Sequence, residues 1–135
     1  MSAYHTQKTQ YKDKDALVAA LGDMGYQTVE CHEVATNLYG YHGDMRSQKA
    51  NIIVRRNFIG NAANDLGFVK AEDGTYSAII SAFDSGKHDA EWLKGLKRAY
   101  VEKVDIKTAA NQGFKYLGKK IVAGKVQLQF MDNRA

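Results

Sequence analysis

The chain has no proline and a single cysteine among its 135 residues. The lack of proline carries no functional message. The lone Cys31 has no partner for an internal disulfide, so a reducing, cytoplasmic compartment is the expectation. No stretch approaches the roughly 20 consecutive apolar residues that a membrane-spanning helix requires, so no membrane partner is expected. The N-terminus has no apolar run, and a secretory leader is not expected. The histidines His5, His32, His42 and His88 are scattered, and Cys31 and His32 are adjacent rather than at ligand spacing. With neither C-x-x-C nor H-x-x-x-H, no metal site is expected. Nor does any cofactor have a recognisable motif.

Catalytic patterns are equally scarce. There is no G-x-S-x-G elbow and no G-x-x-x-x-G-K-[ST] phosphate loop. Ser77, Ser81 and Ser85 fall in or near an apolar run without a diagnostic partner. Glu72 and Asp73 fall in a turn, where Asp serves backbone geometry. Glu102 and Asp105 sit in a lysine-rich helical stretch, where charge pairing accounts for them. No catalytic residue is assigned. A site assembled from distant residues stays open, but without an identifiable acid–base pair a non-catalytic role is favoured.

The residues that are present describe an ordinary globular protein, 44% hydrophobic and 25% charged. Its length fits one domain over residues 1–135. Tyr4 to Tyr11 alternate as an edge strand. Asp13 caps a helix carrying Ala16, Leu17, Ala20, Leu21 and Met24 on one face, and Gly25 lies just past its end. Tyr26 to Val34 read as a strand with Val29 and Cys31 facing the core. Ala35 to Lys49 read as a loop, Ile52-Ile53-Val54 as a short buried strand, and Asn57 to Asn64 as a second loop. Leu66–Lys70 and Thr75–Phe83 flank Asp73-Gly74, a type I′ hairpin signature. Trp92, Leu93, Leu96, Ala99 and Tyr100 share a helical face, with Gly113 as its stop. Phe114–Val122 and Lys125–Met131 form a last hairpin around Ala123-Gly124. Leu17, Leu21, Ile53, Phe68, Ile79, Trp92, Leu96 and Leu128 are the expected core. The order of elements predicts an α+β fold: a largely antiparallel sheet with two helices packed on one face, for which a ferredoxin-like topology is one arrangement.

Charge is unevenly spread. The net charge is +4. Lys94, Lys97, Arg98, Lys103, Lys107, Lys115, Lys119, Lys120 and Lys125 face only Glu102 and Asp105 within their stretch. Arg46, Lys49, Arg55 and Arg56 form a smaller group. Such asymmetry favours an anionic partner, the plain alternative being a solvated face. The Gly40-Tyr41-His42-Gly43 segment offers a specific site. Tyr39 and Tyr41 can stack on a planar base, His42, Arg46, Lys49, Arg55 and Arg56 can meet phosphates, and the glycines permit close approach. The plain alternative is a loop whose tyrosines pack at its root. Tyr and Arg are also interface residues, which raises a homo-oligomer.

Several short pieces resemble one family. His5, Lys8, Thr9 and Gln10 match its opening motif, and Leu17, Leu21 and Gly25 its first helix. Gly40-Tyr41-His42-Gly43 is similar to a Gly-Tyr-x-Gly turn, and Leu66-Gly67-Phe68 to an Ile-Gly-Phe strand. Gln112-Gly113-Phe114 carries the same kind of triplet, and Arg98-Ala99-Tyr100 resembles an Arg-Tyr-Ala segment. The chain thus resembles the hypothetical chloroplast reading frame thirty-five family of cyanobacteria, algal plastids and assorted bacteria. That resemblance implies a fold and no established activity.

The expectation is therefore a non-catalytic binding protein for an anionic small molecule, with a nucleotide or nucleotide-derived signal placed ahead of nucleic acid, in a sequestering role. The rivals are a protein-interaction or assembly accessory, as the plastid resemblance implies, a nucleic-acid-binding module, and an unrecognised small enzyme.

Overall fold

The structure, a computed structural model, describes residues 3–134. Its centre is a five-stranded sheet of order β1-β5-β4-β3-β2, with a two-stranded hairpin, β6-β7, standing apart. The sheet strands are β1 (Tyr4–Lys8), β2 (Glu30–Tyr39), β3 (Met45–Val54), β4 (Leu66–Lys70) and β5 (Tyr76–Ser81), and every pairing is antiparallel. Helix α1 (Lys14–Asp23) links the two edge strands β1 and β2. Helix α2 (Ala90–Asn111) follows β5 and leads into β6 (Phe114–Val122) and β7 (Lys125–Asp132). The expected α+β class is what forms. The ferredoxin-like option is not confirmed: β1 and β2 stand at opposite edges.

Local chemistry sets the helix ends. The Asp13 carboxylate accepts from the Ala16 N–H, and Asp89 does the same for Trp92, each satisfying an orphan donor of the first turn. Gly25 and Gly113 follow the two helices at φ 104° and 91°, a conformation that costs any other residue a steric clash. Ala16, Leu17, Ala20 and Leu21 of α1 are buried, and Leu17, Ala20 and Leu21 with Leu96 of α2 cover Ile52, Val54, Leu66, Phe68, Tyr76, Ala78 and Ile80 on one face of the sheet. Each fully buried Leu, Ile or Phe contributes about 1.5–3 kcal/mol relative to exposure.

The opposite face is covered by the chain itself. β2 advances from Cys31 to Thr36 while its partner retreats only from Ile52 to Ala50. This large bulge bends the β2-β3 hairpin, as bulges do. Leu38 and Ala50 then cross over Gly67, forming a second core with Ile53 and Ile79. A Cβ on Gly67 would stand 2.6 Å from the Ala50 Cβ and 3.0 Å from Leu38 Cδ2, so the crossing needs glycine there.

Several expectations are corrected. Ala35 to Lys49 are strand and tight turn, because the bulged hairpin buries Leu38 and Ala50. Cys31 is exposed: it pairs in register with the buried Ile52, but it lies on the edge strand β2, at the margin of the core. Leu17, Leu21, Ile53, Phe68, Ile79 and Leu96 are buried, whereas Trp92 and Leu128 are half-buried at the margins. Gly74 has the expected positive φ of 86°, but Asp73 does not share it. The turn closes through Gly74 N–H to Ala71 O and Ala71 N–H to Thr75 O, so it is a three-residue loop with glycine at its left-handed position. Both central residues of the β6-β7 turn have positive φ, Ala123 at 52° and Gly124 at 76°, so the type I′ form falls there.

Candidate functional site

The tyrosine turn joins β2 to β3. Gly40 donates to Asp44 O at 2.9 Å and Gly43 donates to Gly40 O at 2.8 Å. Gly43 has φ 78°, and a Cβ on Gly40 would stand 2.6 Å from the Asp44 carboxylate. Both glycines serve the turn. Tyr39, Tyr41 and His42 are exposed at its tip. The Tyr41 ring lies 3.8 Å from the His42 ring and 6.4 Å from the Phe83 ring, nearly parallel to the latter at 14°.

The basic residues behind the turn are largely committed to the fold. Arg55 donates from Nε and Nη2 to the two Glu30 carboxylate oxygens at 2.8 and 2.9 Å, and from Nη1 to Asp65 Oδ2 at 2.8 Å. Asp65 is fully buried and also accepts from the main-chain N–H groups of Tyr39 and Arg56, each at 2.7 Å. Its own N–H donates to Tyr39 O, and its carbonyl accepts from the Tyr4 hydroxyl. This knot pins the curled hairpin to the segment before β4. The Arg55 hydrogen bonds hold the Glu30 carboxyl below the usual range, against a smaller upward push from burial. Arg56 donates to Ala63 O and Asn61 O. Arg46 lies over the Tyr4 ring at 5.1 Å, with Asp44 3.9 Å away. Lys49 is exposed on β3. The turn therefore gathers Tyr39, Tyr41 and His42, but Arg55 and Arg56 hold protein carboxylates and carbonyls rather than facing outward as a phosphate fork.

A second polar cluster is buried deeper. The Ser81 hydroxyl donates to Asp84 Oδ2 at 2.6 Å, and Asn64 donates to the same oxygen from its main-chain N–H at 2.9 Å. Asn64 Nδ2 donates to Ser81 Oγ, and Asn64 Oδ1 accepts from the Tyr41 N–H. Ser81 here ties loops together. His88 is buried, shares a 2.8 Å hydrogen bond with the Tyr26 hydroxyl, and packs on Trp92 at 4.5 Å. Burial drives its pKa down to about 4, which leaves a neutral ring. Among the described residues no group of His, Cys, Asp and Glu is placed to hold a metal, and no helix is long and apolar enough to cross a membrane.

Two concavities lie on α2, where the basic stretch is. One groove of about 580 Å³ runs between α2 and the strand β1 with its following segment. Gln7, Lys8, Thr9, Gln10 and Tyr11 line one wall, and Ala90, Leu93, Lys94, Lys97, Tyr100 and Val101 the other. A second, of about 400 Å³, lies between α2 and β7 and shares Lys94, Lys97 and Val101 with the first. Arg98, Glu102, Asp105, Val126 and Leu128 complete it. The two form one trough over α2, apolar along Leu93, Val101 and Leu128, with cations above. The Tyr100 hydroxyl accepts from the Lys12 and Asp13 N–H groups and fixes the end of the β1 wall. Lys103, Lys107 and Lys119, by contrast, pair with Asp23, Asp13 and Glu102 at 2.9, 2.7 and 3.0 Å. Those lysines brace α1 and the hairpin against α2. Lys94 comes to 3.9 Å from Glu91 with both side chains well exposed, a weak pair.

The charge of the α2 wall was readable from the sequence. The part played by Gln7 to Tyr11 was not, because those residues are polar and ordinary until β1 is set beside α2. Their placement needs the pairing of β1 with β5, which no local pattern announces.

A family model described as "Protein of unknown function (DUF1257)" matches residues 20–128. This overturns the resemblance read from the sequence: the matching family is that one, and no link to the chloroplast reading frame thirty-five family is shown. No curated protein and no solved structure matches the chain.

Proposed function

We propose that this chain, which belongs to the DUF1257 family of proteins of unknown function, is a non-catalytic binding protein for an anionic partner held along the trough on α2. The observation that carries this reading is the composition of the trough. Lys94, Lys97 and Arg98 project from adjoining turns of one helix beside an apolar floor, while neighbouring lysines are neutralised by carboxylates. A cation over a low-dielectric wall attracts an anion more strongly than one on an open surface. The test is charge reversal. Lys97→Glu with Arg98→Glu should abolish binding of heparin or polyuridylate at low salt and leave the urea midpoint nearly unchanged. Undiminished binding by the folded double variant would sink the reading.

A nucleotide at the tyrosine turn is the second reading, favoured by the Tyr41 and Phe83 rings. Their near-parallel planes and 6.4 Å centroid spacing come close to the roughly 7–8 Å that two van der Waals contacts across an inserted ring require. Lys49 and the exposed His42 are then the groups left to meet phosphate. Tyr41→Ala should weaken nucleotide binding and spare polyanion binding on α2. A nucleotide panel that shifts neither the thermal midpoint nor the tyrosine fluorescence would remove this second reading.

A further inference from the structure

We infer that the partner of the trough is an extended acidic protein segment that adds to the sheet as a sixth strand beside β1. The inference rests on the anionic-partner reading and names the partner's chemistry. It starts from hydrogen-bond parity. The Ala82 N–H donates to Ala3 O, which makes Ala3 and Ala82 a hydrogen-bonded pair. In an antiparallel ladder such pairs alternate with non-bonded ones. In the observed register, His5 with Ile80 and Gln7 with Ala78 are then bonded, while Tyr4, Thr6 and Lys8 turn their N–H and C=O groups away from β5. β1 ends the strand order, so this row faces outward at the sheet edge.

The two edges of the sheet are unlike. The β2 edge is distorted by its bulge and tied by side-chain bonds, Asn51 Nδ2 donating to His32 O and Glu33 O. Bulges of this kind blunt an edge against pairing. The β1 edge is regular over its length, with five consecutive register pairs and no shift. It is also the edge that opens onto the groove with α2. A strand laid beside β1 would gain main-chain hydrogen bonds along that row. Alternate side chains, pointing to one face, would reach Leu93, Val101, Lys94 and Lys97.

Charge selects the occupant. Lys8, Lys94 and Lys97 line the groove, and His5 lies on β1. A second copy offering its own β1 would bring another Lys8 and His5 toward the same lysines. A segment whose every second residue, the set facing α2, includes both acidic and apolar types meets both the cations and the floor.

The experiment uses the full chain and three fluorescein-labelled peptides: (Asp-Thr-Val-Thr)2, (Lys-Thr-Val-Thr)2, and (Asp-Thr-Val-Thr)2 with all its main-chain amides N-methylated. Anisotropy at low salt should show binding of the first alone. The amides of Thr6 and Lys8 should then exchange more slowly. Thr6→Pro removes an outward donor without touching the β5 ladder, as edge positions allow, and should weaken (Asp-Thr-Val-Thr)2 about tenfold. Lys94→Glu with Lys97→Glu should weaken it by at least about tenfold as well. Equal binding of the N-methylated peptide, which needs no folded variant to interpret, would overturn strand addition and leave the anionic-partner reading standing. Binding of polyuridylate without binding of (Asp-Thr-Val-Thr)2 would have the same consequence. A wild-type dimer that Thr6→Pro converts to monomer would make a second copy the occupant and overturn the inference. Failure of every anion to bind would remove both.

Discussion

Replacing Arg55 with alanine separates a structural arginine from a ligand-binding one. The guanidinium satisfies both oxygens of Glu30 and one of the fully buried Asp65. Without it, Asp65 keeps two main-chain donors, from Tyr39 and Arg56, but loses its cation. Breaking a buried ion pair from one side costs about 3–5 kcal/mol. The Arg55 side chain is 20% exposed and that of Glu30 38%, so water recovers part of the loss. We therefore expect Arg55→Ala to cost about 2–4 kcal/mol, most of it from the stranded Asp65 carboxylate. A domain of this size shifts its Tm by roughly 3–5 °C per kcal/mol, so the midpoint should fall by about 10 °C. Arg55→Lys keeps the charge but not the fork, and should fall between wild type and alanine. Urea denaturation followed by circular dichroism measures all three. An Arg55→Ala midpoint within about 0.5 kcal/mol of wild type would refute the knot as a structural element, that being the ordinary range of a surface substitution.

Gly67→Ala should destabilise the protein by about 1–3 kcal/mol, because its methyl would meet the Ala50 Cβ; a neutral effect in urea would show that the hairpin crossing yields freely. His88 gives a pH dependence. Its folded pKa of about 4 lies below the ordinary value near 6.5, so between the two the unfolded chain takes a proton that the folded one refuses. The stability it contributes, about 3 kcal/mol, is complete above pH 6.5 and is lost as pH falls toward 4; a His88→Gln variant with the same slope over that window would disprove the assignment. Gly74→Val should weaken the β4-β5 turn, since its φ of 86° resists a β-branched side chain; an unchanged thermal midpoint would count against it.

What the sequence made legible was what neighbours decide. Asp13, Gly25 and Gly113 announce helix ends because capping is a matter of a few adjacent residues. The core of α1 follows from its own spacing. The Asp73-Gly74 pair marks a hairpin, but two turn types use the same pair, and the sequence does not choose between them. The β2 bulge was hidden for a different reason. It exists because Leu38 and Ala50 settle over Gly67, a contact between three separate strands. Once it forms, the supposed loop becomes ladder. The structural role of Arg55 was hidden on the same ground: it is held by Glu30 and Asp65, which flank it at a distance no motif records. The basic face of α2 was legible because helical spacing alone gathers Lys94, Lys97 and Arg98.

The position of β1 has a consequence for how the molecule comes into being. Its ladder partner is β5, so Tyr4 must wait for Ser81. On a ribosome, β1 is made well before the strand it pairs with, and the chain between them has to close a long loop before any of its hydrogen bonds form. The β2-β3 and β4-β5 hairpins need only their own neighbours and can assemble while β1 is still loose. Contacts of long sequence separation slow folding, and here they are concentrated at one edge. A nascent or partly folded chain would thus present β5 uncovered, a regular strand with Ile79 and Ile80 on it, to whatever extended peptide is at hand.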